Sequence, residues 1–425
     1  MQTRKTEVLV IGGGPAGTTF GTFMAQRGRK VTLLEKDFHP RFHIGESLLP
    51  MNLPIMQRMG VLEKIRRIGV PKMGADFSAP GMGDDYNTYR FANALGSSPD
   101  HAFEVRRSEF DQTLFEHCKA AGVDAREGTR VTSVVPGADG SHRVIAVDES
   151  GQESHWETDF LVDASGRDTF LSSANGWKSR NPRHASAAVF AHFEGVLRRP
   201  GPDQGNISIY WFEQGWIWLI PLREDVMSIG LVCRPDYLKT RQGSLDDFLW
   251  NTLQGVPEIR QRTQRARALV TAQATGNYSY LSSRMCGRGF LMIGDAYAFI
   301  DPVFSSGVYL AMSSAERAVD VAEAWLSKNR RAWARARHRY EVTSRRGLSC
   351  FSWFIYRFTT PAMRFLLSHP RNTFRVVDGV TSMLAGDVFD NRNIRLRLWF
   401  FRGIYSMTKL FNRGQTSPSP ASRSA

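Results

Sequence analysis

The stretch Thr6-Glu-Val-Leu-Val-Ile-Gly-Gly-Gly-Pro-Ala-Gly17 restricts the chain to few folds. Residues 7–11 read as a buried strand that runs straight into glycines. Gly12, Gly14 and Gly17 are spaced G-x-G-x-x-G, with Ala16 inside the turn. In that spacing the first glycine permits a tight turn and the second lets a pyrophosphate approach the backbone. The third lets the next helix pack against the strand. A helix starting near Pro15 offers its N-terminal N–H groups to phosphate. The glycines alone are weak evidence, but their context is present as well. A helical stretch runs to Arg27, Gly28 stops it, a second apolar strand spans 30–34, and Glu35 follows 18 residues after Gly17. An acidic side chain at about that distance takes ribose hydroxyls. The expectation is a β-α-β unit that binds a nucleotide within an α/β fold.

With 425 residues, 42% of them hydrophobic and 23% charged, the composition is that of a soluble globular protein of two or three domains. The first residues enter a strand almost at once, which leaves no signal peptide to expect. No apolar run is long enough for a spanning helix. Cys118, Cys233, Cys286 and Cys350 are scattered without metal-ligand spacing. They read as reduced thiols of a cytoplasmic protein, with no metal site. The net charge of +14 is uneven. From Lys328 onward there are 19 Lys and Arg against four acids (Glu341, Asp378, Asp387 and Asp390), while the rest is nearly neutral. Such an excess is either a solvated helix face or a docking surface for an acidic partner.

Taken in order, residues 1–77, 101–186 and 284–325 carry an α/β pattern and are expected to form one discontinuous Rossmann-like domain. Within it the loop Phe38-His-Pro-Arg-Phe-His-Ile-Gly-Glu-Ser47 is placed to wrap a cofactor, with Arg41 and Ser47 as contacts. A helix opens within 105–114, where Ser108 reads as N-cap and Asp111 as its N3 partner. Alternation over 129–135, 141–147 and 157–163 predicts a β-meander ending in Leu161-Val-Asp-Ala-Ser-Gly-Arg167, a second strand-to-glycine turn. Residues 78–100 and 187–283 are expected to add an antiparallel substrate sheet. There Gly215–Leu222 pairs with 225–232 around a turn at Arg223-Glu224. Gly289–Gly294 reads as a strand, followed by Asp295-Ala296 and a helix from about Val308 to Trp325. Residues 326–413 read as basic, aromatic helices, and 414–425 as a disordered tail. The aromatic-dense segment Leu348–Phe358 reads as either a cover over the site mouth or a packed helix seam.

Segments 7–35, 159–167 and 289–296 share one grammar, an apolar strand ending in glycine and an acid. Together they favour FAD over NAD, and over roughly residues 5–325 the chain resembles the FAD-dependent family related to p-hydroxybenzoate hydroxylase. The resemblance implies that the first segment holds the ADP moiety. Asp163 and Gly166 match the second motif and Gly294-Asp295 the third, which puts Asp295 at the ribityl chain. Arg107, in Arg-x-x-Phe-Asp, matches an arginine near the flavin.

Within that family the chain resembles the flavin-dependent halogenases. Trp216-Ile-Trp-Leu-Ile-Pro221 fits their W-x-W-x-I-P motif. On a strand Trp216, Trp218 and Ile220 project to one face, where two indoles can wall a flavin off from bulky substrates. Lys72, in Lys-Met-Gly-Ala, matches the halogenase lysine of K-x-G, which holds or captures hypohalous acid and presents it to an electron-rich ring. It does so either as an amine of lowered pKa or as a donating ammonium. The resemblance also places a halide at Ser306 and Gly307, at the start of a helix, with Gly307 beside the flavin.

One position departs from the pattern. Tryptophan halogenases carry a glutamate two residues before that serine, and here the residue is Phe304, which cannot serve as a base. The resemblance is therefore to the shorter halogenases that act on phenols, pyrroles or carrier-protein-bound acyl groups. It implies bound FAD, reduced by a separate NAD(P)H-dependent flavin reductase, with chloride or bromide as the halide. An acyl or peptidyl carrier protein becomes a candidate partner. Rival readings are an aromatic monooxygenase, a prenyl-lipid reductase at a membrane surface, and a flavoprotein without turnover. Nucleic acid is not expected as a partner, because no recognition motif appears.

Overall fold

The computed structural model describes residues 3–78, 86–181, 185–276, 279–301 and 303–415, with side chains only as far as residue 411. Two eight-stranded sheets organise the chain. In the first, the strands Asp124–Arg126, Val31–Leu34, Arg4–Ile11, Glu153–Asp163 and Phe290–Met292 lie side by side in that order, all parallel. Val8, Leu9 and Val10 are all fully buried. An unbroken apolar run of this kind belongs to a parallel strand covered on both faces. The expected meander is present as Thr129–Pro136 and His142–Asp148, paired antiparallel onto the first half of Glu153–Asp163. The helix Pro15–Gln26 follows the first glycine loop, and Gly28, at φ 77°, continues the chain beyond its end. It packs beside Ser306–Leu326, the helix expected from Val308 to Trp325.

The second sheet runs Arg267–Ala268, Ala187–Glu194, Met227–Cys233, Gly215–Pro221, Ile207–Phe212, Gly74–Ser78 and Asn87–Arg90, and Gln273–Gly276 also pairs with Ala187–Glu194. Among the described residues of this sheet, only the pairing of Ile207–Phe212 with Gly74–Ser78 is parallel. A division drawn between residues 77 and 78 therefore cuts a strand. The chain changes sheets at Met73, whose N–H donates to Asn206 Oδ1 at 3.0 Å. Just before it, Val70–Lys72 pairs with Ala102–Glu104 in a separate ribbon. Gly74–Ser78 and Asn87–Arg90 form one of the hairpins expected in this region, and its tip, 79–85, lies outside the described residues.

The strand Gly215–Pro221 separates two cores. Ile217 and Leu219 pack with Phe248, Leu249 and Leu253 of the helix Leu245–Gln254, which opens with a Ser244–Asp247 capping box. Trp216, Trp218 and Ile220 face the other way. The turn beyond is centred one residue later than expected, with Glu224 and Asp225 both at positive φ, 57° and 56°.

The C-terminal region is helical as expected: Arg330–Ile355, Pro361–Ser368, Val376–Leu384 and Arg392–Gln415. Phe351, Phe354 and Phe358 are buried in the same core as the tryptophan pair. The aromatic segment is thus a packed seam behind that pair and not an open cover. Except for its first two positions, which end the last helix, the expected tail at 414–425 lies outside the described residues. Among the described residues no helix is long and apolar enough to cross a membrane, and no cluster could hold a metal ion.

Candidate active site

Four strand ends are tied together by three backbone hydrogen bonds. Gly12 N–H donates to the Leu34 carbonyl at 2.8 Å, Ala164 N–H to Ile11 at 2.9 Å, and Ile293 N–H to Asp163 at 3.0 Å. The loops beyond these ends line a cavity of about 670 Å³. Of the residues singled out in the sequence, Gly12, Gly14, Ala16, Glu35, Arg41, Ser47, Arg107, Trp216, Trp218, Asp295 and Gly307 all line it. Gly17, Lys72 and Ser306 do not reach its surface.

At the nucleotide end the glycines divide their work. A Cβ at Gly12 would stand 2.5 Å from the Ala164 carbonyl oxygen, and one at Gly17 would collide with the Gly12 carbonyl. A Cβ at Gly14 would meet nothing within 4 Å, so this glycine leaves open the space a phosphate needs. Glu35 accepts from Gly13 N–H at 2.6 Å and from Asp37 N–H at 2.9 Å, and Arg41 stands 3.5 Å from it. A carboxylate has about four acceptor positions, so Glu35 can brace the loop and still take ribose hydroxyls. Asp163 is buried beneath the second loop, where it accepts from Ser165 and Leu171 N–H groups at 3.0 and 2.8 Å.

Toward the middle, Arg107 donates to the Ile44 carbonyl at 2.8 Å, which fixes the wrapping loop. It also makes two 2.8 Å bonds to Asp111. The capping expectation fails here: the helix starts at Arg107, its N-cap is Arg106, and Asp111 serves the arginine instead. Arg107 and burial together push the His43 imidazole down to about 4. Burial pushes the Asp295 carboxyl up to about 7, against the pull of Arg167 and Arg107.

These features suit FAD. The volume falls in the range of roughly 300–1,000 Å³ typical of ligand sites. The open space at Gly14 is cradled by a helix N-terminus, and Arg41 Nε is buried without a hydrogen-bond partner, 3.9 Å from Asp37 Oδ2.

At the far end stands the aromatic wall. The Trp216 and Trp218 ring centroids are 5.8 Å apart, and Trp218 Nε1 donates to Ser228 Oγ at 3.2 Å. Gly230, directly across the ladder from Trp218, is needed because a Cβ there would run into the indole. Behind the pair lies Phe358, edge-on to Trp216 at 6.1 Å and to Phe304 at 5.3 Å. Phe304 is therefore part of an apolar cluster and holds no proton acceptor. The Ser306 hydroxyl is buried without a partner at the N-terminus of its helix, and a Cβ at Gly307 would meet nothing within 4 Å. Pro302, earlier in the same loop, lies outside the described residues.

Lys72 sits behind the lining. Its Nζ donates to Ser47 Oγ at 2.7 Å and to the Leu48 carbonyl at 3.1 Å, with Glu104 Oε1 3.9 Å away. Both side chains are almost wholly buried. Burial lowers the Lys72 pKa and pushes the Glu104 carboxyl up to about 7. An amine held this way loses its proton more readily than one in water.

The FAD binding domain family matches residues 5–325. A 1H-pyrrole-2-carbonyl-peptidyl-carrier-protein brominase of Pseudoalteromonas luteoviolacea is 34% identical over 74% of this chain and 76% of its own length. The chain belongs to the flavin-dependent halogenases. The corresponding chlorinase of Pseudomonas fluorescens is 29% identical over 93% of this chain and 92% of its own. The solved flavin-dependent brominase Bmp2 superimposes with a TM-score of 0.83 at 27% identity, over 95% of this chain and 99% of that one. FAD is thus the cofactor of this halogenase. Sequence reasoning missed Glu104, which is adjacent to Lys72 only across the ribbon. It also missed the contact of Glu46 with His192, 146 residues apart.

The buried Glu104 gives a pH signature. Folded, it keeps its proton up to about pH 7, whereas its ordinary value is 4.5. Unfolding between those values releases a proton, so Glu104 lowers stability as pH rises through that window. Glu104→Gln should flatten the fall in melting temperature of the FAD-free protein between pH 4.5 and 7. What remains includes Asp295, which carries the same sign. A variant with the wild-type slope would contradict this assignment.

Proposed function

We propose that this halogenase acts on an electron-rich ring, a pyrrole or phenol, tethered to an acidic carrier protein. Its FAD is reduced by a separate NAD(P)H-dependent reductase in the cytoplasm. The observation that carries the reading is the pairing of two buried indoles in the cavity wall with a buried lysine just behind it. Reduced FAD, with O₂ and halide, supplies a hypohalous oxidant. Ser306 and Gly307 hold the halide at the helix N-terminus, where N–H groups and the helix dipole favour an anion. Trp216 and Trp218 keep the ring off the flavin. Lys72, reached past Ser47, holds the oxidant and presents it.

In this reading the discontinuous segments 1–73, 101–186 and 284–325 hold the cofactor, and the second sheet, which begins with Gly74–Ser78, carries the substrate face. Residues 326–413 dock the partner. Two relatives named for carrier-protein substrates support the last assignment, as does the exposure of Arg330, Arg331, Arg335, Arg339, Arg392 and Arg395. Arg pairs bidentately with carboxylate and phosphate, and a loaded carrier offers both.

The test compares a free aromatic acid with its carrier-loaded form. The loaded form should react faster at low salt. That advantage should vanish near 1 M salt, where the screening length is about 3 Å. Equal rates without salt dependence would return the basic helices to a solvated surface. In the same assay Lys72→Ala should bind FAD normally and lose about 100-fold or more in halogenated product. Product at the wild-type rate would make Lys72 structural only.

A further inference from the structure

The apolar residue at 304 leaves a chemical debt: ring halogenation releases a proton, and that position cannot take it. We infer that Glu46 takes it, oriented by His192. Glu46 lines the cavity that Trp216, Trp218 and Ser47 also line, yet only 1% of its surface is exposed. Its Oε1 accepts from His192 Nε2 at 2.9 Å, while its Oε2 is buried and has no partner. A buried carboxylate oxygen without a hydrogen bond is costly, and on a residue that lines the cavity it has capacity to accept a ligand proton. Glu46 is also the neighbour of Ser47, which receives the Lys72 ammonium. Oxidant holder and proton acceptor therefore flank one residue of the wrapping loop.

His192 comes from the other half of the molecule, the strand Ala187–Glu194, so the pair joins the loop to the substrate sheet. The His192 side chain is 16% exposed, which leaves its ring an edge toward solvent. Phe42 lies edge-on to it at 5.7 Å and shields the rest.

The step balances as follows. The ring carbon forms a bond to the halogen of hypohalous acid. The halogen–oxygen bond breaks, and its electron pair leaves with oxygen as hydroxide. The ring C–H bond then breaks, its electron pair restores aromaticity, and the proton passes to Glu46 Oε2. That proton and the hydroxide together make water. Glu46 is the catalytic group and His192 the positioning residue.

This inference rests on ring halogenation but not on which ring is used or how it is delivered. The experiment measures halogenation of phenol and of carrier-loaded pyrrole-2-carboxylate, each with and without ring deuterium. It uses the FAD-loaded wild type, Glu46→Gln and His192→Phe, with FAD affinity measured in parallel. In the wild type, product formation should be insensitive to deuterium. In Glu46→Gln the rate should fall about 100-fold and a primary isotope effect should appear, because C–H cleavage now limits. FAD affinity should hold. His192→Phe should show a smaller rate loss with a smaller isotope effect. Glu46→Gln with the wild-type rate, with a reduced rate but no isotope effect, or with lost FAD affinity would overturn the assignment. The last outcome would make the carboxylate a cofactor ligand. If Glu46→Gln fails to fold, absence of an isotope effect in His192→Phe overturns it equally. No halogenated ring from the wild type would sink both this step and the reading beneath it.

Discussion

The whole site depends on how closely two loops approach. At Gly12 the backbone passes the Ala164 carbonyl so tightly that any side chain would collide with it. That contact is possible because Arg4–Ile11 and Glu153–Asp163 run parallel in register, with Ile11 level with Asp163. Phe290–Met292 joins on the far side, with Met292 level with Asp163. Parallel strands that end level put their following loops on one edge of the sheet, the edge where open α/β sheets bind ligands. Three stretches separated by well over a hundred residues thus become the floor of one cavity.

The second sheet turns a cofactor site into a reaction chamber. Alternation along Gly215–Pro221 sends Ile217 and Leu219 into one core and the two indoles into another. The indoles are held from several sides: Gly230 makes room for Trp218, Ser228 takes its N–H, and Phe358 backs Trp216. A wall fixed this way has little freedom to open. Lys72 ends its two-stranded ribbon, one residue before the chain crosses at Met73 to the second sheet. Its environment is dry, and a dry amine beside a carboxyl can change charge at modest cost, which suits the proposed role of handling an electrophilic halogen.

Much of this was legible in the residues. The glycine spacing, the apolar strand before it and Glu35 after it fix the nucleotide end, because few other backbones use glycine in that order. The W-x-W alternation fixes the face on which the indoles lie. Less legible was anything decided by pairing across the fold. Asp111 reads as the N3 partner of a Ser108 cap because the spacing fits one, but a buried guanidinium four residues before it is the stronger partner. The strand at 74–78 looked like the end of the first domain, because nothing local announces that a chain changes sheets. Glu46 sat in a loop already assigned to the cofactor, and its tie to His192 crosses 146 positions. Distances of that kind leave no periodic trace in a sequence.

In the proposed function, the oxygen that bound FAD would activate goes to halide and never directly to the ring. The most direct measurement is product mass from reactions run under ¹⁸O₂ with reduced FAD, bromide and a small set of phenols and carrier-loaded pyrroles. The account predicts products in which bromine replaces ring hydrogen and no ¹⁸O is gained, with no ring product when halide is left out. A ring that carries an ¹⁸O hydroxyl, formed as readily without halide, would contradict it and make the tryptophan wall an ordinary core.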